Sequence, residues 1–261
     1  MAVVGYVGLK QWPDDFFSYF LFAQNYYWLI NPEGSQVFAC GHLWYLTLDV
    51  YLVLIWLIVF RVTNRKYITP VLIALIVIAI CYRAYFSQVN RMMAYTVPLG
   101  AMDSFALGGL LAMMMRNGKR SKLPPIIALL IGTIGFLACV VQVATTNDVN
   151  LLEGLVLFKT SAGYATNPFT IQVLLFIPLV CFALVWFCLI PRKHFGVLSN
   201  PKIVALGTMT YEFYLLHFPI LVVLKSIVHN KVVVIIAGLI LTYISTVLWN
   251  KLYARIQEKR A

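Results

Sequence analysis

The stretch TPVLIALIVIAICYRAYFSQ, residues 69–88, decides the fold: twenty positions carry one charged side chain, Arg83. Wound as a helix, it rises about 30 Å, the thickness of a bilayer's hydrocarbon core. Six further apolar runs of similar length lie at 42–60, 98–115, 124–144, 170–190, 203–224 and 231–250. A weaker, aromatic-rich run, Phe16–Ile30, either spans or lies in the interface. Lipid offers no hydrogen bonds, so every backbone group at that depth pairs within its own segment, which leaves helices as the elements. The expectation is an all-α, polytopic transmembrane helix bundle of seven to eight spans.

Composition says the same independently. Hydrophobic residues are 62% of the 261 positions, charged residues 11%, and mean hydropathy is +0.86. A soluble domain carries about 25% charged residues to cover its surface. Here lipid replaces that polar cover. No Ser-, Pro- or Gly-rich linker divides the chain, which predicts one bundle.

The net charge of +11 suggests an anionic partner, but its distribution excludes nucleic acid as one. The basic side chains fall in short clusters between apolar runs, without a stripe beside stacking aromatics. Residues 61–66, 116–122, 191–202 and 251–260 hold 14 of the 20 Lys and Arg. These segments alternate with loops poorer in basic residues, which assigns them and the C-terminus to the cytoplasmic side of a cell membrane. The long loop 145–169, with Asp148 and Glu153, then faces outward. Residues 1–15 lack the basic region followed by an apolar one that marks a cleavable signal. The five cysteines have no metal-ligand spacing and read as small packing residues, so no metal is expected.

Titratable groups at bilayer depth are costly, and each is a candidate for function. His42, Asp49, Asp103, Glu212 and His217 are such groups. His42 and Asp49, seven residues apart, share a helix face about 10 Å apart along the axis, with Tyr45 between them. His42 falls at the outer mouth and Asp49 near mid-membrane. Asp103 enters about one turn deep. Glu212 is expected near the middle of its span, flanked by Tyr211 and Tyr214, with His217 one to two turns further out. Arg83 is a lesser case, near the outer end of its span, where it could snorkel. The central and outer parts of the bundle thus gather the polar groups. Each has a structural reading as well, pairing for packing alone, and transporters use such residues in proton relays.

Three words in this sequence resemble a known family. His42-Leu43-Trp44-Tyr45-Leu46-Thr47-Leu48-Asp49, preceded by Gln24-Asn25-Tyr26, is similar to the His-x-Trp signature of the membrane-bound acyltransferase 3 family. Met102-Asp103-Ser104-Phe105-Ala106-Leu107-Gly108-Gly109-Leu110-Leu111-Ala112 resembles that family's Asp-containing span. Leu206 to Ile220, with Tyr211, Glu212, Tyr214, His217 and Pro219, resembles its closing Leu-Gly…Tyr-Leu-x-His-x-Pro motif.

The resemblance implies an integral membrane acyltransferase that moves an acetyl or other acyl group from acyl-CoA to a hydroxyl of a cell-surface or exported glycan. The acceptor would be a glycan or a lipid-linked saccharide, with no bound cofactor. His42 and Asp49 would be catalytic, and Trp44, Tyr45, Asp103, Tyr211, Glu212 and His217 would bind substrate. Basic inner loops would attract the anionic CoA, and a His near a sugar hydroxyl would act as general base.

The departures are specific. The family's Arg-x10-His span is absent: the eleventh residue after Arg83, Arg91, Arg116, Arg120 or Arg192 is never His. Val50 stands where many members have the second acid of a pair, leaving Asp49 a lone acceptor, and Glu212 has no inherited role. Residues 1–261 therefore read as a single membrane domain of this type, incomplete at its N-terminus. A non-catalytic transporter or glycan-export partner, and an inactive fragment, are the competing readings.

Overall fold

The computed structural model describes residues 17–18, 21–31, 43–118, 121–160, 167–189 and 199–258. The described residues contain helices and turns and no strand. Among the described residues, seven helices are long and apolar enough to cross a membrane, so the chain is an all-α, polytopic membrane protein. Two compact units are distinguished, residues 45–191 and residues 1–44 with 192–261.

The unit of residues 45–191 contains α2 (Trp44–Val62, its first residue excepted), α3 (Ile68–Val89), α4 (Arg91–Thr96), α5 (Met102–Arg116), α6 (Leu123–Thr146), α7 (Leu151–Thr160) and α8 (Val173–Leu189). Short 3-10 turns, Pro98–Ala101 and Thr170–Gln172, lead into α5 and α8. With lipid outside, close packing rather than water exclusion holds such helices together, and small residues permit it. Gly132 on α6 is the clearest case: a Cβ there would sit 2.7 Å from the Phe176 carbonyl oxygen of α8. Leu107, Ala128 and Phe182 form a buried cluster from α5, α6 and α8. The outward positions of these helices, among them Ile58, Ile73, Ile134 and Leu184, are exposed in the isolated chain and face where lipid would lie.

The other unit contains α1 (Gln24–Ile30), α9 (Pro201–Thr208), α10 (Thr210–Ile227) and α11 (Lys231–Glu258). Helices α10 and α11 pack together. The Thr242 hydroxyl, fully buried, donates to the Gly238 carbonyl one turn earlier. At 28 residues, α11 runs about 42 Å, so it outlasts a hydrocarbon core of about 30 Å and carries Lys251 and Arg255 beyond it.

Three expectations change. The run 203–224 is not one helix, because the chain breaks at Met209 and spanning helix α10 begins at Thr210. The Thr208 and Thr210 hydroxyls donate to the Ala205 and Gly207 carbonyls there, a local pairing that competes with helix continuation. Glu212 accordingly lies in the first turn of α10 and not mid-span, while His217 takes the more central position. The segment 145–169 is not simply a loop, since it contains α7. Asn150 and Glu153 cap that helix reciprocally: the Glu153 amide donates to Asn150 Oδ1 at 2.9 Å and the Asn150 amide to Glu153 Oε2 at 3.4 Å. Finally, the run 16–30 is interrupted at Phe22, whose φ is +52°, and its helix α1 has seven residues, too few to cross a bilayer.

Candidate functional site

The first site group lies on α2. Tyr45 and Asp49 are one turn apart, and Val53, Trp56, Leu57 and Phe60 continue their stripe toward the helix C-terminus. This stripe faces Ser104, Gly108 and Ala112 of α5 across a cavity of about 660 Å³. A second cavity, of about 290 Å³, shares Tyr45, Ser104 and Gly108 and reaches Pro178 and Phe182 of α8. Both are walled chiefly by apolar side chains, with the Tyr45 and Ser104 hydroxyls as polar points. Asp49 is half-buried, one turn below Tyr45. The arrangement suits an extended apolar ligand with a polar end.

Asp103, the neighbour of Ser104 in sequence, is placed differently. Its carboxylate meets the Arg83 guanidinium, and both side chains are fully buried. Arg83 uses all of its N–H groups: Nε and one Nη reach Gln172 Oε1 at 3.3 and 3.2 Å, and the rest reach Asp103 and the Gly100 carbonyl. Gln172 Nε2 in turn donates to the Ile80 and Pro168 carbonyls, each at 3.2 Å. Asp103 Oδ1 also accepts from the Ser104 amide at 2.9 Å. Arg83 therefore does not take the snorkelling position open to it. Its guanidinium turns into the protein because α5 and the turn before α8 supply an acid, an amide and a carbonyl, which compensate a buried charge better than a distant interface would. Gly100 allows the close approach of this turn, since a Cβ there would strike the Ala94 carbonyl.

The other unit holds the second group. His42 lies outside the described residues. The two residues after it are held by α1: Gln24 Nε2 donates to the Leu43 carbonyl at 3.0 Å and Asn25 Nδ2 to the Trp44 carbonyl at 2.9 Å. Gln24 and Asn25 are each 1% exposed. Leu43 packs on Tyr214 and Leu215 of α10, and Trp44 is half-buried. On α10, His217 Nδ1 lies 2.7 Å from the Tyr214 carbonyl oxygen and its ring stacks on Phe213. Glu212 has a buried Oε2 without a hydrogen-bond partner, and Tyr211 is exposed.

The sequence reading named the Gln24-Asn25 word only as part of a resemblance. Its physical role, pinning the backbone after His42, required the fold. The Arg83–Asp103 pairing had a signal in the sequence: two opposite charges on successive, otherwise uncharged spans. Gln172 had none. Among the described residues no group of three or more His, Cys, Asp or Glu side chains gathers as a metal site would.

A family model described as an acyltransferase domain matches residues 2–250. The chain belongs to the acyltransferase 3 family. No curated protein and no solved structure matches it. Within this acyltransferase domain lie all three resembling words, the Arg83–Asp103 pair and the groove between α2 and α5.

Proposed function

We propose that the chain transfers an acetyl or other acyl group from acyl-CoA to a hydroxyl of a cell-surface or exported glycan, free or lipid-linked, in the bacterial cytoplasmic membrane. The observation that carries this reading is the family match over nearly the whole chain, residues 2–250. Geometry supports it at two points. Buried amide side chains at Gln24 and Asn25 fix the backbone next to His42, as a catalytic residue requires. Tyr45 lines the groove, and Asp49 lies one turn from it along α2.

In this proposal His42 takes the proton of the acceptor hydroxyl, and Asp49 orients or balances the charge of the imidazolium. The hydroxyl oxygen forms an ester bond with the thioester carbonyl carbon, the C–S bond breaks, and the departing CoA sulfur receives the proton. Trp44, Tyr45, Tyr211, Glu212 and His217 bind substrate. Asp103, closed on Arg83, is assigned to positioning α5. In the same proposal the C-terminus is cytoplasmic, a reading that the basic segments near residues 61–66 and 251–260 support, and these segments attract the anionic donor.

The test is acyl transfer from labelled acetyl-CoA in membranes containing the full chain, with His42→Ala beside it. Label entering a glycan or lipid-linked saccharide only with the unsubstituted chain supports the reading. Flux of a solute or protons without label transfer would replace it with transport.

A further inference from the structure

The groove between α2 and α5 combines an apolar length with a basic end, a pattern that goes beyond the acyl-transfer reading. Its length is apolar, with Tyr45, Val53 and Trp56 on one wall and Phe105, Gly108 and Ala112 on the other. Trp56 is 8% exposed, and its indole N–H is buried without a hydrogen-bond partner. A buried orphan donor is costly, and an acceptor oxygen in the cavity would relieve it. At the end away from Tyr45, both stripes finish in arginine. Arg61 follows Leu57 by one turn, and Arg116 follows Ala112 by one turn. Both are exposed, and the ion pair among the described residues is made by Arg83 instead.

These features fall at useful spacings. Arg61 lies five residues beyond Trp56, about 7–8 Å along the axis, and Tyr45 lies eleven residues before it, about 16 Å. A phosphate, an ester carbonyl and an alkyl chain in that order would match arginines, indole N–H and apolar length. We propose that this groove binds one anionic glycerophospholipid, its phosphate at Arg61 and Arg116, a chain ester at Trp56 Nε1 and the chain running toward Tyr45. The arginines select charge, as basic side chains at a membrane surface do. The groove supplies a single site rather than general lipid contact.

Gly108 makes the proposal testable. It lines both cavities, and a Cβ there would meet nothing within 4 Å, so a large side chain fills the groove rather than striking the fold. The experiment is titration of the detergent-solubilised full chain with dioleoylphosphatidylglycerol or dioleoylphosphatidylcholine, with bound lipid counted by native mass spectrometry. One phosphatidylglycerol should bind about tenfold more tightly than phosphatidylcholine. Gly108→Phe should abolish that adduct, and Arg61→Gln with Arg116→Gln should reduce phosphatidylglycerol to the level of phosphatidylcholine. Trp56→Phe, which keeps the ring and removes the donor, should weaken binding about fivefold, and it decides the matter if Gly108→Phe does not fold. Equal binding of the two lipids, or a phosphatidylglycerol adduct undiminished in the folded variants, would overturn the site.

Discussion

Arg83 of α3 and Asp103 of α5 form an ion pair with both side chains fully buried, and Gln172 and the Gly100 carbonyl take the remaining guanidinium hydrogens. Removing one partner strands the other charge in a low-dielectric interior. Asp103→Asn or Arg83→Gln is expected to cost about 3–5 kcal/mol, read as a drop in the midpoint of thermal unfolding in detergent. The double variant should lose less than the two singles summed. Additive losses would mean that the pair is not coupled.

Gln24 and Asn25 act on the neighbourhood of His42 through backbone carbonyls, so they are positioning residues. Asn25→Ala removes one buried hydrogen bond, about 1–2 kcal/mol, and is expected to lower kcat about tenfold with KM for the donor unchanged. The acid limb of the pH–rate profile should shift if the His42 environment relaxes. A fall in protein yield alone, with kcat and profile intact, would make the residue merely structural.

Gly132 sets the distance between α6 and α8. Its missing Cβ would lie 2.7 Å from the Phe176 oxygen and 2.8 Å from Val180 Cγ2. Gly132→Val should therefore destabilise by about 1–3 kcal/mol through overpacking, whereas Gly108→Val, facing open space, should be near neutral. Differential unfolding of the two variants in one detergent measures the contrast.

The reciprocal cap of Asn150 and Glu153 gives α7 its start. Asn150→Ala is expected to cost about 1 kcal/mol and to raise hydrogen exchange across Leu151–Thr160 while leaving α6 and α8 protected. Unchanged exchange in α7 would show that packing against α6 fixes it unaided.

The spans were legible because an apolar run long enough to cross lipid has few other fates in a chain. Five of the seven runs from residue 42 onward match single continuous elements to within a few residues, give or take a leading 3-10 turn, and the run 231–250 is one helix that continues eight residues further, to Glu258. What run length does not encode is a break inside apolar sequence. The interruption at Met209 depends on threonine hydroxyls competing with the backbone, and it moved Glu212 from mid-span to the first turn of α10. Helix α7 was missed because its signal is a short capping box inside a segment read only for charge. The Arg83 knot escaped for another reason: Arg83 and Gln172 are 89 positions apart, and no local pattern links an arginine to a distant amide. Tyr45 and Asp49 were legible as a helix-face pair, whereas the groove beside them exists only through α5.

The most direct test of the central claim is acyl transfer from labelled acetyl-CoA by membranes carrying this chain. The account predicts label in a glycan or lipid-linked product, lost about a hundredfold or more in His42→Ala while the protein remains folded and inserted. Transfer that is undiminished in His42→Ala, or no label above background from the unsubstituted chain, would contradict it.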